Sequence, residues 1–212
     1  MTLADRADHA WYLPFGHRSP EGLAAGGDPG ENLPPLGQRD CPELAALLAD
    51  ASVTKAGHDL KLGWQILRRA GIELAGVQFD TMLASFVLDP GRRSHALDTL
   101  CSTTSAEGAA AGSGKKEPPL AVKRPAGEVA ERSGAEAAAV IALEEFFVPR
   151  LEETALAPLL ADIEMPLVRV LVDMEWTGIA IDRAVFDQLL EWALIWSASR
   201  RTLPPKRAAR ST

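Results

Sequence analysis

The stretch AGHDLKLGWQIL, residues 56–67, constrains the fold of this chain more than any other. A short apolar run ends in the polar pair His58 and Asp59. From Leu60 onward apolar residues recur at helical spacing, with Leu60, Trp64 and Leu67 on one face and Gly71 as the stop. A strand running directly into an amphipathic helix belongs to a sheet with helices packed on it. The following stretch, VQFDTMLASFVLDPG, repeats the step. It begins extended, turns helical behind an N-cap at Asp80 or Thr81, and stops at Pro90-Gly91. Strand ends beside helix starts are where enzymes place metal-binding carboxylates. Yet Gly63 stands one turn into the helix, where a second inward polar group would be expected.

Around this centre the chain reads as follows. HAWYLPFGH (9–17) is a strand interrupted by Pro14, which suits an edge or a strand end. Residues 18–40 are rich in Gly and Pro and read as a long loop. CPELAALLADAS is a helix with Pro42 in its first turn, and SHALDTLCS is a short helix. Residues from about 103 to 135 are biased to Ala, Gly, Ser and Glu and read as a mobile loop. A long helix is expected from about Glu136 to Thr154, with Val140, Leu143, Phe147 and Leu151 recurring. LAPLLADIEMPLVRVLVDMEWTG is another helix, kinked at Pro166 and ended by Gly178. GIAID is extended, and RAVFDQLLEWALIW opens a last helix. The tail SASRRTLPPKRAARST has no apolar period. Strands in the first third, then helices, indicate an α/β domain, and periodicity alone goes no further.

Charge and cysteine content narrow the classes of function. The net charge is −7, and five of the 22 basic residues fall from Arg200 onward with no acid among them. The first 199 residues therefore carry 17 basic side chains against 29 acidic ones. Such a field repels a nucleic-acid backbone, so any such contact must rest on a local basic patch. Cys41 and Cys101 lie 60 residues apart without metal-ligand spacing, which argues against a disulfide or zinc site and fits a reducing cytoplasm. The N-terminus lacks the pattern of a secretory signal, and no apolar run reaches 18 residues, so no membrane partner is expected.

Three stretches together resemble one family. GHDLKLGWQILRRAGIELAGVQFDTMLASFVLDPGRRSHALDTL is similar to the 3′–5′ exonuclease domain of bacterial DNA polymerase I, a family A polymerase. IEMPLVRVLVDMEWTGIAID resembles the segment leading from that domain into the polymerase domain, and AWYLPFGH resembles the strand preceding the first stretch. The resemblance spans roughly residues 9–190. It implies an RNase H-like α/β fold, incomplete at the N-terminus, followed by α-helices from the base of a polymerase domain. It also implies a division into an exonuclease-like domain (1–157), the start of a polymerase domain (158–199) and a basic tail outside the family (200–212). DNA and the rest of a polymerase chain are the partners it implies, and the cytoplasm is the compartment.

The family's chemistry is two-metal hydrolysis of a phosphodiester, with two divalent ions about 4 Å apart activating water and stabilising the leaving oxygen. Hard Mg²⁺ ions require oxygen ligands, and the family supplies them from three motifs. The first, D-x-E, should precede AWYLPFGH by some 20 residues and is expected to be absent. The second, N-x-x-x-D, falls on DLKLG, with Asp59 at the Asn position and Gly63 at the metal-binding Asp position. The third, Y-x-x-x-D, falls on SGAEA, with Ser133 at the Tyr position and Ala137 at the Asp position; the one tyrosine of the chain is Tyr12. No catalytic residue, metal ligand or cofactor is therefore expected for this chain, and no exonuclease activity. The tail after VFDQLLE departs from the family and looks like translation in a shifted frame, so polymerase activity is not expected either.

The remaining candidates have plain alternatives. His58 and Asp59 are either a residual metal pair or a strand-end cap satisfied by backbone amides, the second being preferred. His17 and His95 have no second ligand at metal spacing. Lys61, Arg68, Arg69, Arg92 and Arg93 form the basic concentration of the globular part and are candidate DNA contacts, or simply a solvated helix face. Lys115, Lys116, Lys123 and Arg124 are weaker candidates. Two readings of the whole result: a silent, structural piece of a DNA polymerase I-like protein, or a free-standing degenerate nuclease-fold module that binds nucleic acid. The second should close its own sheet, whereas the sequence leaves AWYLPFGH with an unpaired edge.

Overall fold

The structure is a computed structural model that describes residues 1–16, 32–37, 39–103 and 126–202. The chain divides into two compact units, Met1–Trp176 and Thr177–Thr212.

The first unit opens with a hairpin. Strand β1 (Thr2–Arg6) pairs antiparallel with β2 (His9–Tyr12), Leu3 opposite Trp11 and Ala4 opposite Ala10, with a register shift before Arg6. Met1 closes the hairpin, its ammonium donating to the carbonyl of Leu13 at 2.9 Å while its own carbonyl accepts from Leu13 N. Strand β1 covers one side of β2, and in this two-stranded sheet the other side keeps the unpaired edge expected beside AWYLPFGH among the described residues. TLADR carries little strand propensity, and cross-strand pairing decides its conformation instead. The strand expected over 9–17 stops at Tyr12, just before Pro14. Phe15 then bridges Leu33, and His17 lies outside the described residues.

Helix α1 (Pro42–Ala49) starts at the expected proline. Strands β3 (Lys55–Gly57) and β4 (Val77–Asp80) pair in parallel, and α2 (Leu60–Arg69) is their crossover. At the end of α2, Gly71 adopts φ +74° and donates to Arg68 O, while Ile72 donates to Leu67 O, so the last carbonyls of the helix are satisfied. Gly76 is required for a different reason. It has φ +70°, and a Cβ there would lie 2.3 Å from Val53 O. Its own carbonyl accepts from Lys55 N, which sets the entry of β3 beside β4.

Helices α3 (Thr81–Leu88) and α4 (Leu97–Thr103) follow. Helix α5 (Ala126–Glu153) runs for 28 residues, about 42 Å at the helical rise. It packs on the hairpin, on β3, and on α3 and α4. The mobile loop expected over 103–135 is therefore corrected: residues 104–125 lie outside the described ones, but 126–135 are helix. AGEVAERSGA looks compositionally biased, yet Ala and Glu are strong helix formers, and the first turns of α5 dock on the hairpin. A Cβ on Gly134 would sit 3.7 Å from that of Ala10, an ordinary contact distance. Ala139, Leu143, Phe147 and Leu151 form the buried stripe of α5. They pack with Phe79, Ala84, Leu100 and Cys101 in the main core. Ala45, Leu48, Leu67, Ile72 and Leu74 form a second cluster between α1 and the crossover.

A short helix α6 (Ala157–Leu159) passes through a π-helical turn (Leu160–Glu164) into α7 (Met165–Thr177), so the chain winds wide just before Pro166. Leu160 and Met165 belong to the main core.

In the second unit, residues 178–182 carry no regular structure, and α8 (Arg183–Thr202) follows Asp182, whose carboxylate accepts from Ala184 N. The helix continues through SASRRT, beyond the point where the apolar period ends. Lys115, Lys116, Lys123, Arg124 and the tail from 203 lie outside the described residues.

Candidate functional site

The parallel strands β3 and β4 end side by side, Gly57 opposite Asp80, and each delivers the chain into a helix. Asp80 is buried, with 1 % of its surface exposed. Its carboxylate accepts from Met82 N at 2.9 Å and Leu83 N at 3.4 Å, which is the N-cap expected for α3. It also accepts from Leu60 N at 2.8 Å and Asp59 N at 3.2 Å. One carboxylate thus caps two helices whose N-terminal amides converge on it. Both helix dipoles present their positive ends there, so the negative charge sits in a favourable field despite burial.

Asp59 does not take the role the sequence suggested. It holds a left-handed conformation, φ 51°, its side chain is exposed, and it caps no amide of α2. Instead Asp80, 21 residues further along, accepts from the amides of Asp59 itself and of Leu60. His58 turns inward, its Nδ1 2.8 Å from the Thr81 hydroxyl, which lies 3.3 Å from Gly57 O. Burial pushes the His58 imidazole below its ordinary pKa, and the nearby Asp80, Asp59 and Asp98 only partly oppose this. His95 is likewise engaged, its Nδ1 2.9 Å from the Ser85 hydroxyl and its ring edge-on to Phe86.

Of Gly63, Ser133 and Ala137, Ser133 alone has a polar side chain. Gly63 lies one turn into α2, and a Cβ added there would meet nothing within 4 Å. Ser133 donates to the carbonyl of Val129 in its own helix, at 2.7 Å. Ala137 follows one turn later on α5 and is half-buried. Among the described residues, no group of three His, Cys, Asp or Glu side chains is placed to hold a metal ion.

The five basic candidates separate into two kinds. Lys61 bonds Glu175 at 2.6 Å, and Gln65, one turn along α2, reaches the other oxygen of the same carboxylate. Hydrogen bonds from Lys61 and Gln65 hold Glu175 below the usual carboxylate range. Arg68 pairs with Asp173 and lies over the Trp176 ring, 4.7 Å from its centroid. Lys61, Gln65 and Arg68 thus form one stripe of α2 facing the acidic end of α7. Arg92 donates to the Thr103 hydroxyl and sits 3.8 Å from Asp89. Arg69 and Arg93 remain exposed, with no ion pair among the described residues. The sequence did not reveal the acidic partners on α7, which lie more than a hundred residues away. The i, i+4, i+7 spacing of Lys61, Gln65 and Arg68 was the available signal.

With this geometry in place, comparison with known proteins is informative. Residues 36–111 match the family described as DNA polymerase I, ribonuclease H-like domain. The DNA polymerase I of Rhizobium leguminosarum is 35 % identical over 189 residues, covering 85 % of this chain and 18 % of that protein. That of Chloroflexus aurantiacus is 31 % identical over 196 residues, covering 89 % and 19 %. Among solved structures, the POL domain of Pol1 from M. smegmatis, in complex with DNA primer-template and dNTP, superimposes with a TM-score of 0.57 at 32 % identity. That match covers 71 % of this chain and 23 % of the other. The chain spans about a fifth of the length of the curated relatives it matches. No described helix is long and apolar enough to cross a membrane. The strand-to-helix junction at Asp80 lies within the stretch that matches the ribonuclease H-like domain, and this chain belongs to the DNA polymerase I family.

Proposed function

We propose that this chain serves a DNA polymerase I-type protein of replication and repair as a structural domain, with no 3′–5′ exonuclease activity of its own. The observation that carries this reading is the fate of the carboxylates at the strand-to-helix junction. Two-metal hydrolysis requires several oxygen ligands converging on two cations. Of the four motif positions, Asp59 alone offers a carboxylate, and it is exposed on a left-handed residue. Gly63 and Ala137 have no ligand atom, and Ser133 is bonded to its own helix. The neighbouring buried carboxylate, Asp80, is committed to four backbone amides, and drawing it onto a cation would uncap two helices. This donor set does not fit Mg²⁺, and no hydrolytic step is assigned to it. The test is digestion of a 5′-labelled single strand across a magnesium titration. No shortening is expected. Magnesium-dependent shortening that Asp59→Ala abolishes would overturn the reading.

Contact with DNA is proposed as weak and carried by Arg69 and Arg93, because Lys61 and Arg68 already have acidic partners. A phosphate would have to displace Glu175 or Asp173 to reach them. Fluorescence anisotropy with a labelled single strand at low salt checks this. The double change Arg69→Ala, Arg93→Ala should reduce affinity more than Lys61→Ala, Arg68→Ala.

A further inference from the structure

Helix α2 carries Lys61, Arg68 and Arg69 and no acid, in a chain whose net charge is −7. Lys61, Gln65 and Arg68 form one row along two turns, about 10.5 Å from end to end. All three donate to carboxylates of one short segment of α7. Lys61 and Gln65 take the two oxygens of Glu175, and Arg68 takes Asp173 while its guanidinium covers the Trp176 ring. Lys, Gln and Arg are also the donors that hold phosphate oxygens of a nucleic-acid backbone. Trp176, 44 % exposed beside the row, is a ring of the kind on which unpaired bases stack.

The carboxylates are the weaker side of this contact. Both ion pairs are exposed, Asp173 by 57 %, and pairs of this kind add little stability and yield to a competing anion. Arg68 and Arg69 complement the negative end of α2. Asp173 and Glu175 lie toward the negative end of α7, whose last turn holds no basic residue. The cations are well placed without the carboxylates, whereas the carboxylates are poorly placed without the cations.

We infer that the Lys61, Gln65 and Arg68 row is a phosphate-backbone site for single-stranded nucleic acid, held closed by Asp173 and Glu175, which stand where two phosphates would bind. The inference rests on the reading of this chain as a weak DNA-contacting domain and adds a control to it. Arg69 and Arg93 make the standing contact, and Lys61 and Arg68 join it when the carboxylates of α7 give way.

Fluorescence anisotropy of the full 212-residue chain with a labelled oligothymidylate, from about 20 to 200 mM salt, tests this. Asp173→Asn with Glu175→Gln frees two cations and keeps the side-chain shapes. Affinity at low salt should rise about tenfold, and the slope of log affinity against log salt should steepen by about 1.4, about 0.7 for each phosphate gained on a single strand. Adding Lys61→Ala and Arg68→Ala should abolish both changes. Glu152→Gln with Glu153→Gln, an equal change of charge at exposed positions of α5, should leave the slope unchanged. Far-UV thermal melting checks that each variant is folded. Glu175→Gln alone, which leaves the Arg68 pair in place, should give part of the gain, and that part should require Lys61. If the unmodified chain binds and the double variant binds no tighter, the inference falls and the weak contact stands. The inference falls equally if the gain survives without Lys61 and Arg68, or if the α5 control matches it in slope. If the unmodified chain does not bind but the double variant does, the contact through Arg69 and Arg93 falls and the closed site stands. No binding by either overturns both.

Discussion

The junction around Asp80 and the helix α8 hold their shape by opposite means. At the junction directional bonds link the polar groups: four amides on Asp80, the His58 ring on Thr81, the Thr81 hydroxyl against Gly57 O. Its apolar neighbours Phe79, Ala84 and Leu100 are buried. In α8 the backbone is satisfied by the helix itself, while its apolar side chains face outward. The first region specifies its geometry through directional bonds at fixed points. The second presents an apolar surface that the described residues leave exposed. At the junction one carboxylate thus organises two helix starts.

The sharpest way to break that contrast is to remove the carboxylate. Asp80→Ala leaves amides at two helix N-termini without acceptors and should cost about 2–4 kcal/mol, read by urea denaturation of the first unit. If the loss is no greater than that of an exposed alanine substitution in α8, the junction is not the organising point. Gly76→Ala comes next. Its positive φ and the 2.3 Å approach of Val53 O mean that a side chain displaces the entry to β3. A loss of about 1–3 kcal/mol is expected in the same measurement.

Acid distinguishes the two regions without mutation. Burial lowers the His58 pKa in the folded state from its ordinary 6.5, so the unfolded chain binds a proton more readily. The stabilisation is fully present above that ordinary value and is lost as pH falls through it toward the folded-state pKa. Thermal midpoints of the first unit measured from pH 7.5 to 5.5 should fall, and His58→Gln should flatten the decline. The smallest effect has the opposite sign. Gly63→Ala fills open space on a helix and should stabilise by about 0.5–1 kcal/mol, read as a raised denaturation midpoint. A loss there would mean that Gly63 contacts something absent from this chain.

What was legible in the sequence follows the same physics. The crossover from β3 through α2 to β4 was readable because apolar periodicity, Gly71 and the Asp80 cap are all local signals. The resemblance to the polymerase family rested on those same stretches. The hairpin partner β1 was not readable, since TLADR becomes a strand by pairing and not by preference. The first ten residues of α5 were hidden by a composition that imitates a flexible linker. Asp59 was expected as a strand-end cap satisfied by backbone amides, and no local rule reveals that Asp80 accepts from the amides of Asp59 and Leu60 instead. The stripe joining α2 to α7 links Lys61 to Glu175 across 114 positions and has no local signature at all.

The double cap at Asp80 has a consequence for cooperativity. In most proteins a helix N-terminus frays alone, because its cap belongs to its own chain segment. Here the first turns of α2 and α3 depend on a single pair of oxygen atoms at the end of β4, and β4 reaches its place only when β3 lies beside it. Moving Asp80 would uncap both helix starts at once. The two crossover ends are therefore coupled through one side chain, and both are fully capped only when the parallel strands lie together.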